Sequence, residues 1–150
     1  MADASVSEAA PARNFGRSPL LWADRSSVKR TFFRVQVHGF DGDSVPDVRL
    51  RLEVDDARAA GGPSGRLYQI SDCSWSEVGV TYATQPKIDG PLLDEPNKIV
   101  EPGTAIEFNI TRAITGDGLY CFALEGSSRN GVSYRSREAA ENSPEVVMTP

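Results

Sequence analysis

Arginines spaced along one predicted strand are the clearest candidates for chemistry in this sequence. Within residues 28–38, a period of two places Arg30 and Arg34 on one face, with Phe32 between them. Guanidinium groups bind carboxylates through paired hydrogen bonds, so a row of them suits an acidic polysaccharide. The alternative is that these arginines pair with acidic side chains of neighbouring strands and contribute only to solubility. The sequence leaves both interpretations open.

Trp22 is the candidate for contact with a sugar ring. Trp22 alternates with Leu21 and Ala23, which should face inward, so its indole should face outward and stack on a sugar ring. The alternative is that residues 83–97 cover it. The candidate ligand-binding residues are Trp22, Arg25, Arg30, Arg34 and Arg135.

Catalysis has little support in the sequence. The single histidine, His38, excludes a histidine-based metal cluster and leaves little basis for a Ser-His-acid triad. Acidic pairs such as Asp55-Asp56 arise by chance among 21 acidic residues, and nothing places two of them across a cleft. We therefore predict that the protein is not an enzyme. Asp41-Gly42-Asp43 resembles part of a calcium loop, so a structural calcium ion is the one cofactor left open.

Composition limits the class of protein. The chain has 150 residues, of which 39% are hydrophobic and 25% charged, as expected for one soluble globular domain. Its net charge of -5 argues against nucleic-acid binding. No apolar run approaches the roughly 18 residues of a membrane span. The first residues lack the basic and apolar parts of a signal peptide, so the chain is either cytosolic or a module of a longer exported protein.

The two cysteines leave the redox state open. Cys121 should point away from the core, because Tyr120, Phe122 and Leu124 form the heavier face of its segment. Cys73 lies in a polar loop. A disulfide between Cys73 and Cys121 is expected if the protein is exported, and two free thiols are expected otherwise.

The arginine-bearing strand and the one after it predict an antiparallel sheet. Residues 48–54 alternate regularly, with four aliphatic side chains inward and Arg49 and Arg51 outward. Turn-forming residues at 39–46 separate the two strands, which favours a hairpin. The pattern is typical of a sheet covered on one face only. The outward arginines of both strands should therefore form a cationic platform open to water.

Short alternating segments continue along the chain and predict the fold. Further strands are expected at residues 4–6, 20–23, 66–71, 80–82, 104–110, 119–124, 132–136 and 145–148. Three prolines predict a surface loop over residues 83–97, and residues 111–114 favour one helical turn. About nine or ten short strands separated by turn residues predict an all-β fold, an antiparallel β-sandwich of jelly-roll type.

The order of the motifs is similar to that of a known family. The matching pieces are Asp3-Ala4-Ser5-Val6, Asn14-Phe15-Gly16, Leu21-Trp22-Ala23-Asp24, Lys29-Arg30-Thr31-Phe32-Phe33-Arg34-Val35-Gln36-Val37, Val48-Arg49-Leu50-Arg51-Leu52, Trp75-Ser76-Glu77, Val80-Thr81-Tyr82, Phe108-Asn109-Ile110-Thr111, Tyr120-Cys121-Phe122-Ala123-Leu124, Val132-Ser133-Tyr134-Arg135-Ser136-Arg137-Glu138 and Pro144-Glu145-Val146-Val147. In these pieces the chain resembles the DNRLRE-domain family, which overlaps carbohydrate-binding module family ninety-six. The cysteines and Trp22 depart from the family pattern. Trp75 matches a family position, and the resemblance implies that it closes one end of the core.

The resemblance implies a jelly-roll-like sandwich with a non-catalytic role, and polysaccharide binding is known for some relatives. It also implies an exported parent protein of several domains. We therefore expect residues 1–150 to form one module of an extracellular or cell-surface protein, with neighbouring domains of the same chain as partners and an acidic polysaccharide as ligand. The alternative is a structural spacer or adhesion domain with no small ligand.

Overall fold

Ten β-strands lie in the part of the chain that the computed structural model describes, residues 1–40, 46–55, 63–96, 98 and 100–150. They are β1 (Ala2–Ser7), β2 (Leu20–Ala23), β3 (Lys29–Val37), β4 (Asp47–Glu53), β5 (Arg66–Ile70), β6 (Leu92–Asp94), β7 (Ala105–Asn109), β8 (Gly118–Glu125), β9 (Val132–Arg135) and β10 (Glu145–Thr149). The predicted helical turn is a short 3₁₀ helix, Thr111–Ala113. The predicted strand at 80–82 is wrong, and β6 lies inside the predicted surface loop.

Antiparallel pairing joins these strands into sheets of five, three and two strands. Their orders are β1-β3-β8-β5-β6, β10-β4-β7 and β2-β9. The main hydrophobic core lies between the five- and three-stranded sheets and is closed by the β2–β9 ribbon, which contributes Leu21 and Tyr134. Phe33 and Leu50, from opposite sheets, are fully buried in it. The predicted all-β sandwich is therefore confirmed.

The predicted hairpin between β3 and β4 is wrong. β3 pairs with β1 and β8, whereas β4 pairs with β7 and β10 in the other sheet. The apolar faces of β3 and β4 do point inward as expected, but they enter the shared core from different sheets. Alternation assigns a face to each residue and says nothing about which strand lies alongside. Arg30 and Arg34 thus lie on a different sheet from Arg49 and Arg51.

The outer face of the five-stranded sheet is covered, contrary to the prediction of a sheet with one open face. Phe32 is fully buried there in a second hydrophobic cluster. Residues 71–90, which we call the covering segment, supply Trp75 and Val80 to this cluster. Cys73 of the segment is joined by a disulfide to Cys121 of β8, with 5.6 Å between their Cα atoms. Cys121 was expected outside the core, and it is buried because this face has a core of its own.

Polar contacts fix the β2–β9 ribbon to the edge of the five-stranded sheet. The hydroxyl groups of Ser5 and Thr31 lie 2.7 Å apart and are fully buried. The backbone N–H of Trp22 donates to Ser5 Oγ, and Thr31 Oγ1 donates to the Trp22 carbonyl oxygen. Asp24 and Lys29 exchange two backbone hydrogen bonds that close the turn between β2 and β3. Trp22 and Lys29 are therefore held near one another.

Candidate functional site

Arg30 does not lie on an open platform as the sequence predicts. Its side chain lies on the outer face of the five-stranded sheet, where Nε is 3.4 Å from a carboxylate oxygen of Glu125 on β8. Its Nη1 donates to Oε1 of Gln85 in the covering segment at 2.9 Å. The correction follows from the strand order, which places the acid of β8 directly opposite this arginine. Arg30 therefore helps to fasten the covering segment to the sheet.

Arg34 lies on the same face and is held by backbone groups rather than by an acid. Its Nη1 donates to the carbonyl oxygens of Cys73 and Trp75, at 3.3 and 2.6 Å. Its guanidinium carbon lies 5.0 Å from the centre of the Trp75 ring, in cation–π contact. No acid pairs with it within the described residues. The guanidinium group of Arg34 is therefore held in place by backbone carbonyls and an aromatic ring.

Trp22 is half-buried on the outer face of the β2–β9 ribbon, as its alternation with Leu21 predicts. It is part of a row of aromatic and cationic side chains. The ring of Phe15 meets it edge to face at 5.8 Å, and Lys29 Nζ lies 5.5 Å from its ring centre. The guanidinium carbon of Arg13 lies 4.9 Å from the Phe15 ring centre. We call Arg13, Phe15, Trp22 and Lys29 the Trp22 surface.

The two remaining candidates lie in the β2–β9 ribbon and in the turn that follows β2. Arg25 is exposed in the turn between β2 and β3. Arg135 is half-buried on β9, where it stands opposite Leu20 on the same face of the ribbon as Trp22. Trp22 and Arg135 therefore share one face of the ribbon, whereas Arg30 and Arg34 lie on the outer face of the five-stranded sheet.

Local sequence explains the position of Phe15. Nδ2 of Asn14 donates to the carbonyl oxygens of Glu77 and Val80 in the covering segment. Gly16 lies so close to the Glu77 carbonyl that a Cβ atom at this position would collide with it. Asn14 Oδ1 also accepts the backbone N–H of Gly16, which fixes the turn. These contacts hold Phe15 against Trp22.

The arginines of β4 face water but are paired locally. Arg49 contacts Asp47 of the same strand at 2.9 Å, and Arg51 lies 3.6 Å from Glu145 of β10. Both pairs are on the outer face of the three-stranded sheet. This face therefore matches the interpretation in which arginines serve solubility.

A match to a protein-family model decides the class of this protein. The model is that of carbohydrate-binding module family 96, and it covers residues 1–150. The chain belongs to carbohydrate-binding module family 96. No curated protein sequence matches it. Membership identifies the chain as a carbohydrate-binding module, a class of non-catalytic domains that usually occur in extracellular proteins.

The family 96 module has one unusual buried carboxyl group, that of Asp3 on the edge strand β1. Asp3 is 1% exposed, and this burial raises its pKa to about 6. Its Oδ2 accepts the backbone N–H of Arg137, whereas its Oδ1 has no partner in the described residues. Oε1 of Glu77 accepts the backbone N–H of Asp3, and Oε2 of Glu77 pairs with Arg137 Nη1 at 2.8 Å. This network joins β1, the covering segment and the chain after β9.

The Trp22 surface includes three residues that the sequence did not predict as site residues. They are Phe15, Lys29 and Arg13. The motif Asn14-Phe15-Gly16 is visible in the sequence, but alternation cannot show that Phe15 packs against Trp22. Lys29 was assigned to a strand and not to a site. The one available signal was the short distance along the chain between Trp22 and Lys29, which a tight turn brings together.

The calcium-like stretch Asp41-Gly42-Asp43 lies outside the described residues. Within those residues, no cluster of three or more histidine, cysteine or acidic side chains could hold a metal ion. The described part also has no helix long and apolar enough to cross a bilayer.

Proposed function

We propose that this carbohydrate-binding module binds an acidic polysaccharide through the Trp22 surface. The proposal depends on one observation above all. Lys29 lies against Trp22, Arg13 lies against the neighbouring Phe15 ring, and neither cation has an acidic partner among the described residues. In a chain with a net charge of -5, such a group of unpaired cations favours an anionic ligand.

The chemistry of the surface suits a sugar ring that carries a carboxylate. Trp22 offers a half-buried indole on which the apolar face of a pyranose can stack. Lys29 Nζ is 5.5 Å from the centre of that ring, close enough to pair with a carboxylate on a stacked sugar. We further propose that Arg135, on the same face of the ribbon as Trp22, and Arg25, in the turn after β2, contact neighbouring sugars. Trp22 thus supplies contact area, and the cations supply selectivity for acid.

Binding at one such surface should be weak, and repetition should strengthen it. A half-buried tryptophan and a few exposed cations give few desolvated contacts, which limits affinity. A second module or an attached enzyme in the same parent protein would raise the effective concentration. We therefore propose that residues 1–150 form one module of a larger exported or cell-surface protein. The Cys73–Cys121 disulfide supports export, because structural disulfides persist in oxidising compartments.

Affinity gels with alginate, pectin and a neutral glucan test the proposal. We expect retardation by at least one acidic polymer and none by the glucan, with weaker retardation as salt rises. Trp22→Ala should weaken binding about tenfold and Lys29→Ala about fivefold. Arg49→Ala is the matched control, since Arg49 is an exposed arginine on the opposite sheet that is paired with Asp47. Equal retardation of the wild type and both test variants would remove the assignment.

A spacer or adhesion domain is the second candidate function. The observation that favours it is that Arg30, Arg49 and Arg51 all form ion pairs with nearby acids. Such pairs make a surface polar without making it a binding site. A module that no acidic or neutral polymer retards, but that stays folded in the same gels, would support this function instead.

A further inference from the structure

A second surface of the module has the features of a binding site. It is a shallow cleft of about 340 Å³ at the outer face of β3 and β8, beside the covering segment. We call it the Arg34 cleft. Its lining includes Arg34, Gln36, Glu77, Val78, Leu119 and Arg137.

Arg34 is prepared to bind an anion in this cleft. Both hydrogen-bond acceptors of its Nη1 group are backbone carbonyls, and its guanidinium group stacks on Trp75. Its Nε and Nη2 groups make no hydrogen bond within the described residues. A guanidinium group that is already fixed loses little entropy when it binds a carboxylate through two parallel hydrogen bonds.

Glu77, which also lines the cleft, does not form an ion pair with Arg34. One carboxylate oxygen of Glu77 accepts the backbone N–H of Asp3, and the other pairs with Arg137. The Glu77 side chain is only 14% exposed. The charge of Glu77 is therefore balanced by Arg137, and the charge of Arg34 remains available to a ligand.

Two aliphatic side chains give the cleft an apolar wall. Val78 is 59% exposed and Leu119 is 50% exposed, which makes them the two most exposed large apolar residues in the described chain. Leu119 lies directly opposite Gln36 across the β3–β8 pair. A ligand that fits must combine an apolar face with a carboxylate, as a uronate sugar does.

We propose that the Arg34 cleft is a second subsite for a carboxylate-bearing sugar of the polysaccharide. This inference rests on the proposed function of the Trp22 surface. Residues 14–16 contact both surfaces. Phe15 packs against Trp22, while its neighbours Asn14 and Gly16 contact the backbone of Glu77 in the cleft wall. A polymer could contact both surfaces, whereas a short fragment would occupy one of them.

Gln36→Glu is the sharpest test, because it places a carboxylate two residues from Arg34 on the same face of β3. Gln36 is exposed, so the fold should tolerate both this change and the control Gln36→Ala. Side-chain NMR signals of Arg34 Nε–H and of the Trp22 indole N–H report on the two surfaces separately. The probes are trimeric uronate fragments of pectin and alginate, with the methyl ester of the pectin fragment as the neutral counterpart.

We expect at least one uronate trimer to shift the Arg34 signal in the wild type, in Trp22→Ala and in Gln36→Ala. Gln36→Glu should weaken this response about tenfold and leave the Trp22 response unchanged. Trp22 shifts without Arg34 shifts would overturn the second subsite and leave the proposed function standing. No shift at either residue would overturn both. Shifts at Arg34 with the methyl ester, or with increasing protein concentration alone, would also overturn it by indicating uncharged binding or self-association.

Discussion

Asp3→Asn should raise the free energy of unfolding at neutral pH, because it removes a buried carboxylate. Burial raises the pKa of Asp3 from 3.8 to about 6. The folded state then binds a proton more tightly than the unfolded state, so the free energy of unfolding rises as pH falls from above 6 towards 3.8. A shift of about two pKa units corresponds to about 3 kcal/mol over that range, and roughly half of it is gained between pH 7 and pH 5.

Urea unfolding at several pH values, followed by tryptophan fluorescence, measures this effect. Asparagine keeps the size of Asp3 and an oxygen that can accept the N–H of Arg137. We expect Asp3→Asn to be more stable than the wild type at pH 7 and the difference to shrink towards pH 5. Asp89→Asn is the control, because the Ser71 hydroxyl lowers the pKa of that exposed carboxylate. A stability difference for Asp3→Asn that does not change with pH would refute the reasoning, as would a wild type that loses stability relative to the variant on acidification.

Two further predictions concern the contacts that hold the covering segment. Replacing Cys73 and Cys121 with alanine should lower the free energy of unfolding by about 4 kcal/mol, because the disulfide spans 48 residues of chain. Urea unfolding of the variant and of the reduced wild type should agree, and a loss below about 1 kcal/mol would contradict the role of this bond. Gly16→Ala should cost about 1–3 kcal/mol and change the fluorescence of Trp22, since the new methyl group would meet the Glu77 carbonyl. Gly116→Ala is its control, because a Cβ there meets nothing within 4 Å, and equal stability of the two variants would count against the contact.

Much of the fold could be predicted because the alternation of apolar and polar residues shows which face of each strand is buried. Phe33, Val35 and Val37 alternate with polar residues, and all three are buried where expected. The partners of each strand could not be predicted in this way. β3 and β4 have the same kind of apolar face, which suits side-by-side pairing and packing across a core equally well. The structure shows the second arrangement.

The covering segment was beyond prediction for a different reason. Phe32 shares its face of the strand with Arg30 and Arg34, so the pattern suggests a polar face on which one aromatic residue is exposed. Its burial depends on residues 71–90, which form few regular elements and carry no periodic pattern. The spacing of apolar residues within a segment does not show which distant strand a loop contacts. The position of Trp22 on the outer face was predictable, whereas its contacts with Phe15 and Lys29 depend on turns that spacing does not define.

The burial of the five-stranded sheet on both sides limits how this module can be redesigned. In the middle of β3 and β8, neighbouring residues of either parity face packed atoms, as Phe32 and Phe33 do. A polar replacement at either position would disrupt one of two cores. The outer face of the three-stranded sheet is therefore the better place to attach labels, graft loops or build a new binding surface. Arg49 and Arg51 on this face already contact solvent.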